Sequence, residues 1–201
     1  SPGGVVHGYG LAASQLQRLR DRGLQITAAV DKVAASGGYM MACVADRIVA
    51  APFSIIGSIG VVAQVPNFNR LLKRNDIDVE LHTAGQYKRT LTLFGENTDE
   101  GREKFQEDLN ETHLLFKQFV HQMRPSLDID KVATGEHWYG RQALDLGLID
   151  EVGTSDDLII RQMDRFNVLG VHYARRRKMI DRMTHSAGSV AERLLLKLWQ
   201  R

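Results

Sequence analysis

One short segment in the first quarter of the chain restricts the possible folds more than any other. The stretch Ile26 to Val33 predicts a short buried strand, and the following Ser36-Gly37-Gly38 predicts a tight turn into an apolar helix over about residues 38–45. A strand that feeds directly into a helix is a basic unit of α/β folds. The chain is therefore expected to be built around this strand, turn and helix.

The rest of the sequence continues the same alternation. A helix over about residues 9–22 comes first and is expected to stop at Gly23. Asn97 and Glu100 resemble a capping box at the start of a long helix that ends before Pro125. The pattern also predicts strands over residues 47–51, 54–63, 79–83 and 148–152, and helices over residues 140–146 and 156–166. Short strands alternating with helices predict an α/β fold.

The composition argues against several classes of protein. The 201 residues suffice for one hydrophobic core, and 26 Lys and Arg against 24 Asp and Glu give no reason to expect a nucleic-acid partner. Cys43 stands alone, so no internal disulfide is expected, and no run of about 18 apolar residues could span a bilayer. The basic run Arg175 to Lys178 fits a solvated linker or attraction to a membrane surface.

Ser36 is the first candidate for chemistry. A serine between a strand and a helix points out of the turn, and the free N–H groups of the helix N-terminus suit a developing oxyanion. Such a serine also needs a base. The seven histidines show no metal-ligand spacing, so no metal is expected, whereas Lys88 follows a predicted strand in a polar turn. Taken alone, Ser36 fits a simple turn residue and Lys88 a solvated charge.

Five segments of the chain together form a specific pattern. They are Ser1-Pro2-Gly3-Gly4, Ala35-Ser36-Gly37-Gly38-Tyr39, Gly57-Ser58-Ile59-Gly60-Val61, Gly85-Gln86-Tyr87-Lys88 and the stretch from Gly140 to Asp150. In this order and spacing they resemble the signal peptide peptidase A family of bacteria. The resemblance covers about residues 1–166, and the single catalytic repeat and the C-terminal tail resemble most the SohB branch.

The resemblance implies a set of site residues. Ser36 would be the nucleophile of a Ser–Lys dyad, Lys88 its general base and Ser58 the residue that orients the lysine. One oxyanion donor falls on Gly3, and the Gly37 N–H is expected as a second because it lies at a helix N-terminus. The substrate is expected to lie extended along open backbone edges at Gly4, Val5, Gly60, Val61 and Val62.

The dyad makes a physical demand on Lys88. A free lysine has a pKa of about 10.4, so it must be desolvated to act as a base near neutral pH. Lys88 is therefore expected to be buried beside Ser36. Its neutral amine would accept the serine proton as the hydroxyl attacks a peptide carbonyl, and would return it to the leaving amine.

The resemblance also implies an architecture and a setting. The expected fold is a spiral of the crotonase or ClpP kind, with no cofactor, that cleaves unfolded or membrane-derived polypeptides. A homo-oligomeric ring at the bacterial inner membrane is implied, with the catalytic domain in the periplasm. Because the chain starts at Ser1 without an initiator methionine, further strands and a membrane anchor are expected to precede it.

Two parts are expected along the chain. Residues 1–170 form the peptidase domain, and residues 171–201 form a basic linker and an amphipathic helix that serves assembly. The apolar stripe of that helix consists of Val190, Leu194, Leu195 and Leu198, beside Trp199.

Other functions stay open on sequence alone. The stretch Gly8 to Ala13 has dinucleotide-binding spacing, but no strand leads into it. A crotonase-type acyl-CoA enzyme would share the fold and the Gly-Gly turn without needing Ser36 or Lys88. A Ser-His-Asp peptidase is disfavoured because no histidine occurs between Ser36 and His82. A non-catalytic scaffold of the same fold is a further alternative.

Overall fold

In the computed structural model, which describes residues 1–172, the chain winds as a spiral that adds one strand to each of two sheets per turn. In the first sheet, β1 (Thr27–Val30) pairs in parallel with β3 (Arg47–Ala50). In the second, β2 (Val33–Ala35) pairs in parallel with β4 (Ile55–Gly57). The expected α/β spiral is confirmed, although the strand predicted over residues 26–33 divides into β1 and the start of β2.

Two further strands and seven helices complete the described part of the chain. β5 (His137–Tyr139) runs antiparallel to β4, and β6 (Glu151–Val152) runs parallel to β3. The helices are α1 (Val6–Arg20), α2 (Gly37–Ala42), α3 (Asn69–Arg74), α4 (Asp99–Met123), α5 (Ile129–Val132), α6 (Gly140–Asp145) and α7 (Ser155–Met163). No helix within residues 1–172 combines the length and the apolar character needed to cross a membrane.

The chain divides into a unit over residues 1–165 and a second unit that starts at Phe166. Residues 166–172 contain no helix or strand. The basic linker and helix expected over residues 171–201 lie outside the described residues except for residues 171 and 172, and the expected boundary after residue 170 stays a prediction.

The hydrophobic core surrounds α2. The helix is short and almost wholly buried, and the Tyr39 hydroxyl donates to the Leu148 carbonyl at 2.8 Å. Cys43 is fully buried at its C-terminal end, and burial raises the pKa of the thiol to about 12. A thiol with such a pKa stays protonated at neutral pH, so Cys43 serves as a small buried core residue.

One ion pair fixes the end of α4 against the sheet. Arg124 donates to both carboxylate oxygens of Asp150, at 2.8 and 3.1 Å, and to the Gly147 carbonyl at 3.0 Å. Burial alone would raise the pKa of Asp150, but the hydrogen bonds from Arg124 and from the Ile48 N–H outweigh it and lower the pKa. The pair therefore joins the long helix to β3 and to the loop before β6.

Three sequence expectations are corrected. The strand predicted over residues 54–63 ends at Gly57, because Gly57 and Ser58 both have positive φ and turn the chain out of the sheet. The strand predicted over residues 79–83 does not form, and residues 75–98 contain no helix or strand. The N-cap of α4 is Thr98 rather than Asn97, since the Thr98 side chain accepts from the Gly101 N–H.

Candidate active site

Ser36 occupies a strained position at the junction of β2 and α2. Its backbone has φ 52° and ψ −123°, a region that residues other than glycine adopt at a cost of about 1–3 kcal/mol. The turn is held in place because the Ser36 N–H donates to the Gly57 carbonyl at 2.8 Å and the Ser36 carbonyl accepts from Tyr39 and Met40. Surrounding structure thus enforces a conformation that is typical of functional serines on strand-to-helix turns.

Gly3 and Gly37 lie directly against this serine. A Cβ on Gly3 would come within 2.7 Å of the Ser36 Cβ and 2.8 Å of the Gly37 nitrogen, so only glycine fits there. A Cβ on Gly37 would meet the Tyr9 ring at 2.4 Å. The two residues expected to supply oxyanion donors therefore adjoin the candidate nucleophile, with backbone approaching closely from both sides.

Ser58 stands beside Ser36 on the neighbouring turn of the spiral. The parallel register pairs Ala35 with Gly57, so Ser36 and Ser58 follow at equivalent positions where the two strands end. Both have nearly the same positive φ, 52° and 51°. The neighbouring parallel strands therefore present the two serines at the same end of the sheet.

A groove of about 820 Å³ runs past both serines. Its walls include every residue expected to bind substrate and all but two of the expected catalytic and oxyanion residues: Gly3, Gly4, Val5, Ser36, Ser58, Gly60, Val61 and Val62. Gly37 is buried behind Ser36 rather than on the wall. The groove is a suitable size and shape for an extended chain.

The groove wall beyond Gly60 offers free backbone. Within residues 1–172, no backbone hydrogen bond involves Val61 to Val65, and Val62 is 87% exposed. An extended peptide could pair with these groups as an added strand. At Gly60 the close approach is made by the chain itself, since a Cβ there would come within 2.9 Å of the Gly135 Cα.

Lys88 is the exception among the expected site residues. It is exposed, and it does not line the groove. Its turn is attached to the first turns of α4, because Gln86 donates to Glu100 and Lys104 lies over the Tyr87 ring. The groove instead contacts α4 at His113. At 1.5 Å per residue, His113 lies about 20 Å from Glu100 along the helix axis. The expected burial of Lys88 beside Ser36 is therefore not met in the single chain.

The groove also contains residues that the sequence did not single out. His113, Thr134 and Gly135 line it, and His113 is the titratable side chain among the described lining residues. A signal for His113 was present, since it shares the apolar face of α4 with Leu109, Phe116 and Val120. A polar residue on a buried helix face calls for a specific partner. Residues 1–172 contain no cluster of three potential metal ligands.

A family assignment follows from comparison with known proteins. Residues 18–169 match the model of peptidase family S49. The chain belongs to this family. The match spans Ser36, Ser58 and Lys88, while Gly3 and Gly4 lie before it.

Similar proteins from other organisms support the assignment. The chain is 63% identical over 187 residues to a Haemophilus influenzae protein named Probable protease SohB, covering 93% of this chain and 53% of that protein. It is 59% identical over 199 residues to a protein of the same name from Buchnera aphidicola subsp. Acyrthosiphon pisum, covering 99% of this chain and 59% of that protein. The chain thus spans somewhat more than half the length of these relatives.

Solved structures show a weaker likeness. An enoyl-CoA hydratase/isomerase from Marinobacter aquaeolei superposes with a TM-score of 0.43 at 13% identity, covering 92% of this chain and 59% of that one.

Proposed function

We propose that this S49 chain is the catalytic part of a serine endopeptidase that cleaves extended, unfolded or membrane-derived polypeptides. The observation that carries the proposal is the strained Ser36 between Gly3 and Gly37 at the wall of the groove. Strain, close backbone N–H groups and an open edge are what acyl transfer to a serine requires. The Ser36 side chain makes no capping hydrogen bond to α2, so the hydroxyl is not committed to holding the turn.

The proposed reaction has two halves. The Ser36 Oγ attacks the peptide carbonyl and forms a C–O bond, while the hydroxyl proton passes to the base and then to the leaving amine as the C–N bond breaks. Water next attacks the ester by the same route and releases the acid product. The N–H groups of Gly3 and Gly37 stabilise the oxyanion in both halves, and the backbone of Val61 and Val62 holds the substrate extended.

Lys88 is the proposed base, and its exposure sets a condition. Because the single chain keeps Lys88 near the start of α4, the dyad forms either when residues 75–98 move toward Ser36 or when a second copy of the chain supplies its Lys88. Either event would also desolvate the amine, which is the change that lowers a lysine pKa. Ser58, next to Ser36 in register, would then accept a hydrogen bond from the same amine or donate one to it.

Assembly is proposed for the same segment. Residues 62–94 carry many exposed apolar side chains, and α3 buries none of its residues; the exposed set includes Phe68, Leu71, Ile77, Leu81 and Phe94. Many exposed apolar side chains in one segment are a feature of protein interfaces. We expect copies of the chain to associate in a ring through this surface. Analytical ultracentrifugation of the chain with and without residues 186–201 tests whether the C-terminal stripe contributes as well.

The decisive experiment is covalent labelling. Intact-mass spectrometry after treatment with a small sulfonyl fluoride should show one adduct, mapped to Ser36 and absent in Ser36→Ala. An acyl-CoA enzyme or a scaffold of this fold would not label. Failure of the parent chain to react, under conditions in which it is folded and associated, would contradict the proposed function.

A mixing experiment separates the two origins of the base. Ser36→Ala and Lys88→Met are each expected to be inactive. If Lys88 comes from a second copy, an equal mixture that exchanges subunits should regain about a quarter of parental activity, since one contact in four then unites an intact serine with an intact lysine. If Lys88 acts within its own chain, the mixture should stay inactive. Activity in Lys88→Met alone would remove Lys88 from the reaction.

A further inference from the structure

His113 is a groove residue with no part in the proposed bond-making steps. It lies midway along α4, partly buried, and its Nε2 is 3.2 Å from the Ile59 carbonyl oxygen. A carbonyl oxygen only accepts, so Nε2 carries the proton and donates. The same oxygen also accepts from the Gly135 N–H at 3.2 Å. Two separate elements therefore hold one carbonyl group at the edge of the groove.

The position of that carbonyl shows what the contact controls. On its N-terminal side, Ser58 is fixed independently, since its N–H donates to the Glu136 carbonyl at 2.6 Å. On its C-terminal side, the backbone of residues 61–65 makes no hydrogen bond to any part of the chain within residues 1–172. The Gly60 N–H donates to the Ser58 carbonyl at 3.0 Å, and the free backbone begins at Val61. The Ile59 carbonyl is thus the last bonded carbonyl before the free backbone that lines the groove.

We infer that His113 is a positioning residue for the substrate: by donating to the Ile59 carbonyl, it fixes the direction in which the edge from Gly60 to Val62 leaves the sheet. An edge held in one direction loses less conformational entropy when a peptide pairs with it. His113 therefore favours binding of substrates long enough to reach this edge. It does not act on Ser36, whose turn is held through Gly57. The inference rests on the proposed peptidase function.

The test compares two replacements of His113. His113→Phe keeps a ring of similar shape and removes the donor, whereas His113→Gln keeps an N–H donor at nearly the same distance from the backbone. For an extended peptide substrate, we expect His113→Phe to raise KM about three- to tenfold with little change in kcat, as for loss of one hydrogen bond. His113→Gln should recover most of the loss. His121→Phe is the matched control, because His121 is exposed on the same helix and does not line the groove.

Two readouts keep this inference separate from the peptidase proposal. The rate at which the small sulfonyl fluoride acylates Ser36 should be the same in all three variants, since that probe does not reach the edge. In a Ser36→Ala background, the Kd of a fluorescent extended peptide should rise in His113→Phe and not in His113→Gln. Equal losses in both replacements would indicate packing rather than donation, and a loss in kcat or in acylation rate would place His113 in the chemistry; either result overturns the inference. If the parent does not label at all, the peptidase proposal fails, while the peptide-binding comparison still decides the role of His113.

Discussion

Replacing Gly3 with alanine tests whether this residue packs against Ser36, the proposed nucleophile. The new Cβ would lie 2.7 Å from the Ser36 Cβ, where ordinary contacts begin at 3.4 Å, so one of the two must move by about 0.7 Å. The φ of +91° at Gly3 adds about 1–2 kcal/mol of strain for any other residue. The close contact and the backbone strain both act at Gly3 and at the Ser36 Cβ.

The chain can relieve this strain most easily at its N-terminal segment. Pro2 and Gly4, on either side of Gly3, make no backbone hydrogen bond within residues 1–172, whereas the N–H and the carbonyl of Ser36 are both bonded. We therefore expect the free energy of unfolding to fall by only about 1–2 kcal/mol while the Gly3 N–H moves away from the position proposed for the oxyanion. A shift approaching 1 Å in a catalytic group costs about 100-fold in rate.

The assay pairs activity with stability. The acylation rate of Ser36 is followed by intact mass, turnover by cleavage of a labelled unfolded protein, and stability by urea denaturation. Gly10→Ala is the control, because a Cβ at Gly10 meets nothing within 4 Å and the helix interior should gain about 0.5–1 kcal/mol. Acylation of Gly3→Ala within twofold of the parent would refute the placement of Gly3 against Ser36.

Three further outcomes are expected. Asp150→Asn should lower stability at pH 7 by about 1–2 kcal/mol, discounted for the partial exposure of the carboxylate, because Arg124 loses its charged partner. Since folding lowers the pKa of Asp150, the stabilisation is present above about pH 4 and is lost on acidification, so urea melts of the variant should depend less on pH between 5 and 2. Gly37→Ala should destabilise by about 1–3 kcal/mol through its clash with Tyr9, measured by thermal unfolding. Ser58→Ala should lower kcat partly, and a loss as complete as that of Ser36→Ala would argue against an orienting role.

Much of the site could be predicted from the sequence because it depends on short segments. Ser36, Gly3 and Gly60 lie in short segments that the family resemblance singled out, although Ser36 alone also fitted a simple turn residue. The structure shows that local conformation and close approach require these residue types. The buried strands and α2 were equally accessible, since continuous apolar runs leave few alternatives. The core around Tyr39 follows directly from that pattern.

The position of Lys88 could not be predicted in the same way. Residues 79–83 alternate apolar and polar side chains as a strand would, but no neighbouring strand pairs with them in the described structure, and Val79 and Leu81 stay exposed. A strand is stabilised by hydrogen bonds to a neighbouring strand, and a single sequence does not show which segment that neighbour is. Similarly, His113 was visible as a polar residue on an apolar face, yet its carbonyl partner lies 54 positions away in the chain.

The parallel register of β2 and β4 determines the distance between Ser36 and Ser58. Neighbouring strands lie about 4.8 Å apart, and Ser36 and Ser58 leave them at the same level with the same φ, so the spacing of the two hydroxyl-bearing residues is set by the sheet itself. One amine placed between them can reach both. An insertion in the loop between β3 and β4 leaves this spacing intact. One extra residue inside β4 would instead move Ser58 out of register with Ser36 and turn the side chains of its neighbours to the opposite face of the sheet. In this chain the spacing of Ser36 and Ser58 is therefore set by the backbone hydrogen bonds between β2 and β4 rather than by the length of the connecting loops.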